Sequence, residues 1–185
     1  MDVNEEIVRA WLQEQGFLVR GRLKYKVKGK RKSAGWSDID LIGYRLRDRK
    51  YVAVDISAWM TEKITLSYLK DPKTRHRLLK ISSPEARSKI REYLGVAHDD
   101  QYELWLVVSF ISEGQRDEIM KEFLKHVDRV IEFPEIMRDL VRIIQQDPNR
   151  VREELSLQTI RALELCGLLK RLKNEEEADL QHLKV

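Results

Sequence analysis

The run Glu103 to Phe110 is the most apolar in the chain, and it most constrains the fold. A strand with little polar surface on either side must be covered on both faces. The other segments say what covers it. Residues 3–15 place Ile7, Val8, Trp11 and Leu12 on one stripe of a helix that Gly16 ends. Phe17 to Val27 alternates as a strand, followed by a basic loop from Lys28 to Ser33. Trp36 to Tyr44 and Tyr51 to Ser57 read as two further strands joined by a polar turn, a hairpin. A helix is expected from Thr61 to Leu69, punctuated by Asp71-Pro72. Another begins at Ser83-Pro84-Glu85 and stops at Gly95. After the apolar strand come a helix from Gln115 to His126 and a short strand from Arg129 to Phe133. Pro134 starts a helix that ends before Asp147-Pro148, and residues from Asn149 to about Lys173 continue as helix. Strands joined by helices predict an α/β fold, a mixed sheet flanked by helices. Residues 1–133 form the expected domain and 134–185 a C-terminal helical extension. That extension suits packing on the domain or a dimer partner, and a helix-turn-helix with Ser156 as a new cap is the alternative.

Composition narrows the function classes. At 185 residues the chain is long enough for a hydrophobic core without staples. One cysteine, Cys166, excludes a disulfide framework and a cysteine-based zinc site. The four histidines show no ligand spacing. No transmembrane run and no signal peptide are evident, so a soluble, cytoplasmic protein without membrane contact is expected. Charged residues make up 36% of the chain, a share that fits a thermophile's surface. Residues 1–100 hold 22 Lys and Arg against 14 Asp and Glu, whereas the remainder is net acidic. The first half is therefore suited to a polyanion. Its densest stretch contains Arg20, Arg22, Lys24, Lys26, Lys28, Lys30, Arg31 and Lys32, with no acid among residues 18–32. Alternate spacing puts most of these charges on one strand face, with Tyr25 and Trp36 as aromatics that either stack on bases or pack. A charge-guarded edge strand is the plain alternative. A second cluster contains Lys70, Lys73, Arg75, Arg77 and Lys80.

Chemistry is concentrated in Ser37-Asp38-Ile39-Asp40-Leu41-Ile42-Gly43 and Tyr51-Val52-Ala53-Val54-Asp55-Ile56-Ser57. Period-two geometry puts Asp38 and Asp40 on one side of their strand, and Asp55 and Ser57 on one side of theirs. Neighbouring carboxylates in apolar sequence repel unless a cation joins them, and a divalent ion with oxygen ligands is a natural resolution. Surface pairing with Arg45, Arg47 or Arg49 is the alternative.

These motifs resemble the PD-(D/E)xK, or restriction-endonuclease-like, nucleases. Asp40-Leu41-Ile42-Gly43 matches the family's Asp before an apolar triplet. Asp55-Ile56-Ser57 lies where (D/E)-x-K should lie, and the first helix ends in Gly16-Phe17 as the family's often does. The resemblance covers about residues 3–60. It implies a restriction-endonuclease-like fold and a Mg²⁺- or Mn²⁺-dependent nuclease acting on nucleic acid, with DNA the expected form. Asp40 and Asp55 would ligate the metal with the Ile56 carbonyl, Glu5 (or Glu6) would hold a metal-bound water or second ion, and Asp38 would support them. Ser57 replaces the family's lysine. Either the lysine has moved to the following helix, with Lys63 the first candidate and Lys70 the second, or the domain binds nucleic acid without cleaving it. A subunit of a larger assembly with vestigial acids is a third reading.

Overall fold

The computed structural model describes residues 2–27, 35–58 and 63–146. In chain order these residues form α1 (Val3–Glu14), β1 (Phe17–Val27), β2 (Gly35–Arg45), β3 (Lys50–Ser57), β4 (Lys63–Ile64), α2 (Leu66–Lys70), α3 (Pro72–Leu78), α4 (Pro84–Leu94), β5 (Glu103–Val108), β6 (Phe110–Ile111), α5 (Arg116–Phe123), β7 (Arg129–Glu132) and α6 (Phe133–Gln146). The expected helix after Asn149, Cys166 and the basic residues Lys28, Lys30, Arg31 and Lys32 lie outside the described residues.

The fold is α/β with a mixed sheet flanked by helices, as the sequence predicts. Five strands run in the order β1-β2-β3-β5-β7. The first three form an antiparallel meander, whereas β5 pairs parallel to β3 and β7 parallel to β5. The sheet's apolar faces dictate the layers. Trp105 of β5 meets Trp11 of α1 and the edge of Phe17, with ring centroids 6.1 and 5.7 Å apart. Leu104, Leu106 and Val108 point the other way, into a core shared with Ile90 of α4 and with Ile119 and Phe123 of α5. Two-faced burial thus explains the unbroken apolar run in β5.

Helix starts follow local chemistry. Asp2 caps α1, its carboxylate accepting the Glu5 N–H at 2.9 Å. Ser83 caps α4 ahead of Pro84, and Gly95 closes that helix in a left-handed conformation with φ of 68°.

One expected element changes. The segment assigned to a helix from Thr61 to Leu69 contains strand β4, which pairs Lys63 with Phe110 and Ile64 with Ile111. Helix α2 starts only at Leu66. The β-branched Ile64 and Thr65 favour extended backbone, and Ile64 is buried. The residues after Asp71-Pro72 are also more ordered than the punctuation suggests. Asp71 caps α3 by accepting from the N–H groups of Lys73 and Thr74, with Pro72 in its first turn. A 3₁₀ turn over Lys80–Ser82 then leads into α4.

The chain divides into two compact units, Met1–Ile136 and Met137–Val185. The second is described through Gln146, the end of α6.

Candidate active site

The β2–β3 ladder pairs Arg45 with Lys50 through Leu41 with Val54, and there it stops. Beyond that point the Asp40 side chain replaces the ladder: its Oδ2 accepts the Ile56 N–H at 2.7 Å. This bond turns the carboxylate toward β3. Across the same gap β1 is distorted. Arg22 has φ of 49°, and it is missing from an otherwise continuous register that pairs Gly21 with Leu41 and Leu23 with Ile39. Positive φ is costly for a residue with a Cβ. On the facing strand, Ile39 and Ile42 join the same core cluster.

Asp55 is wholly buried, and Asp40 is 6% exposed. Neither Asp55 oxygen makes a hydrogen bond of normal geometry. Its charge is met by Lys80, whose Nζ stands 2.9 Å from Asp55 Oδ1. The same ammonium lies 3.8 Å from Asp40 Oδ1 and 3.6 Å from Asp38 Oδ1. Three carboxylates from two strands therefore converge on one lysine from the turn before α4. The electrostatics follow. Burial pushes the Asp55 carboxyl well above the usual carboxylate range, the Asp40 charge adds to this, and Lys80 opposes it. Burial raises Asp40 as well, against Lys80 and the Ile56 N–H. Burial would lower Lys80, but Asp55 and Asp40 outweigh it and hold the ammonium above its ordinary value.

The structure gathers some of the expected site residues and not others. Asp38, Asp40 and Asp55 come together as the strand pattern predicts. Glu5 is buried on α1, where its carboxylate accepts from Arg22 at 3.2 and 3.3 Å. Arg22 also lies in the field of Asp38 and Asp40, so Glu5 connects to the cluster through a guanidinium. Lys63 lies on strand β4 and not on a following helix. As part of β4 it is exposed and borders a small cavity of about 110 Å³ with Ser57, Tyr68 and Arg77. Lys70 is exposed at the end of α2. The lysine at the acids is Lys80. Its signal was present in Leu78-Leu79-Lys80-Ile81, a cation inside an apolar run, which marks a charge carried toward a core.

The basic strand is less uniform than its alternation suggests. Arg20 lies over the Tyr93 ring of α4 at 5.2 Å, and Arg22 is committed to Glu5. Lys24 and Lys26 stay exposed, opposite Asp38 and Trp36 respectively. The two aromatics separate: Tyr25 is buried and donates its hydroxyl to the Lys80 carbonyl at 3.3 Å, whereas Trp36 is exposed.

Among the described residues no group of three or more His, Cys, Asp or Glu side chains is arranged to hold a metal ion. The cluster offers a pair of carboxylates. That donor set still fits a hard cation, because Mg²⁺ commonly takes one or two carboxylates and keeps its waters. Both Asp55 oxygens lack a normal hydrogen bond, and Asp40 has one oxygen outside its bond to Ile56.

No protein-family model matches the chain, and no curated protein sequence matches it. Among solved structures, protein VC1899 from Vibrio cholerae matches with a TM-score of 0.41 and 14% identity, over 77% of this chain and 32% of that one. The chain thus spans about a third of that protein's length. No described helix is long and apolar enough to cross a membrane.

Proposed function

We propose that the acid–lysine cluster is the active site of a metal-dependent phosphodiesterase acting on nucleic acid, with DNA the first substrate to test. One observation carries the reading: Lys80 Nζ lies 2.9 Å from the buried Asp55 and within 4 Å of Asp38 and Asp40. It returns to the site the positive charge that Ser57 lacks, from a different element. Asp40 and Asp55 would hold Mg²⁺ or Mn²⁺, with the Ile56 carbonyl as a further ligand by resemblance to the PD-(D/E)xK nucleases. Such an ion supplies Lewis-acid polarisation and a more acidic bound water.

The chain's own residues have separate tasks. The ammonium carries three donors, so engagement with Asp55 leaves others for a phosphate oxygen on which charge develops. The Ile56 N–H fixes Asp40 in orientation. Arg22 neutralises Glu5 and presents a half-exposed guanidinium beside the acids, where it would meet the approaching backbone.

A second reading is a nucleic-acid-binding module without cleavage. The Glu5–Arg22 pair favours it, because that acid is occupied by a cation of the chain itself. A cleavage assay with Mg²⁺ and Mn²⁺ on single-stranded, duplex and branched DNA separates the two. Cleavage by wild type that is lost in both Asp55→Asn and Lys80→Met supports the enzyme. Cleavage that survives Lys80→Met removes the migrated lysine from the mechanism. Binding without cleavage by any of the proteins supports the module.

A further inference from the structure

We infer that Trp36 is a stacking platform for an unpaired base, which makes a strand with unpaired nucleotides the substrate; this rests on the nucleic-acid reading above. Trp36 is 68% exposed, although tryptophan is among the side chains that gain most from burial. The other exposed large apolar residues include Leu18, Leu46 and Leu124, and single residues of this kind are ordinary on a surface. Trp36 differs in its surroundings. The Lys26 ammonium lies 5.6 Å from its ring centroid. Register places Lys26 opposite Trp36 and Lys24 opposite Asp38. Trp36 and Asp38 are two positions apart on β2, roughly 7 Å along the strand, and Asp40 is as far again. The ring therefore stands about one to two nucleotides from the acids.

Two open cavities adjoin the ring. One, of about 530 Å³, lies between the Lys24–Lys26 stretch of β1 and the start of α4. The other, of about 400 Å³, is lined by Lys24, Trp36, Ser37 and Asp38, and so reaches one acid of the cluster. The α4 wall of the first carries Glu85 and Glu92, and Lys89 is paired with Glu92. That wall offers a phosphate no surplus of positive charge. The backbone of a bound strand would instead follow Lys24 and Lys26, leaving its base to turn inward against the indole. A base inside a duplex has both faces covered by its neighbours and cannot use this surface, whereas an unpaired base can.

The test uses the full chain without divalent ions, so that binding is read apart from cleavage. Anisotropy is measured with a dye-labelled oligo-dT 12-mer, an abasic 12-mer of equal charge and a blunt 12-base-pair duplex. Wild type should bind oligo-dT about tenfold tighter than the abasic strand. Trp36→Ala should abolish that difference, and Trp36→Phe should keep most of it. Equal wild-type affinity for oligo-dT and the abasic strand would overturn the stacking proposal alone. So would Trp36→Ala binding oligo-dT as tightly as wild type, or a preference for the duplex. Absence of binding to all three probes would overturn the nucleic-acid reading with it.

Discussion

Asp55 and Lys80 depend on each other in opposite senses. Asp55 is buried without a normal hydrogen bond, and the ammonium at 2.9 Å offsets part of the cost of burying its charge. Lys80→Met should cost about 3 kcal/mol, the lower end for removing one partner of a buried pair, because Lys80 keeps some contact with water. Urea denaturation at neutral pH would measure it. Asp55→Asn removes a charge that burial disfavours and should leave the fold near wild-type stability while ending cleavage. The pH dependence follows from the same groups. Asp40 and Asp55 have folded values raised above the ordinary 3.8, so the folded chain binds more protons than the unfolded chain just above that value. Their contribution is complete below about pH 4 and declines as pH rises through the raised values. Melting temperature should therefore fall across that window in wild type, and Asp55→Asn should flatten the slope. Mg²⁺ should raise the wild-type melting temperature by a few degrees and leave Asp55→Asn unmoved; an equal shift in both would remove the metal from this site. Which acids meet was legible in the sequence, since strand periodicity alone aligns Asp38 with Asp40 and embeds Asp55 in an apolar strand. Which cation meets them was marked only by Lys80 standing inside an apolar run, and its arrival depends on how the chain returns after β3.

At the scale of elements, that return is decided by the segment from Lys63 to Ser83. Pairing of β4 with β6 holds Lys63 exposed in a strand, and α3 with its following 3₁₀ turn brings Lys80 to the acids. Lys63→Ala should consequently leave the chemical step within about twofold of wild type in single-turnover cleavage, unlike Lys80→Met. Strands and long helices were readable because each spans several periods of a hydrophobic pattern. The two-residue β4 and the 3₁₀ turn are too short to show one. Another element-level constraint lies at Gly43 in β2. A Cβ there would stand 2.8 Å from Val52 Cγ2 and 3.2 Å from Phe17 Cδ1. Gly43→Ala should destabilise by roughly 1–3 kcal/mol through overpacking, measurable by the same denaturation. Its damage should reach the site, since Gly43 pairs with Val52 two register steps before the last β2–β3 pair, Leu41 with Val54, after which the ladder gives way to Asp40.

For the molecule as a whole, the formal charge of +4 says less than where cations remain exposed. Arg20 and Arg22 are drawn onto Tyr93 and Glu5, whereas Lys24 stands exposed opposite Asp38 and Lys26 stands exposed over the Trp36 ring. Each phosphate contact adds about 0.7 to the slope of log affinity against log salt for a single strand. Lys24→Ala and Lys26→Ala should each lower that slope by about this amount, read by titration between 50 and 200 mM salt. The sheet order has another consequence, in time. Strands β1, β2 and β3 are neighbours in sequence and in space, but Val52 of β3 must wait for Glu103 of β5. Local hairpins close early and long-range parallel pairing closes late. A chain emerging from synthesis thus brings Asp40 and Asp55 side by side before Lys80 is available to them. During that interval the newborn meander carries Asp55 on its growing edge strand β3 without its cation, a charge that discourages that edge from joining another unfinished chain.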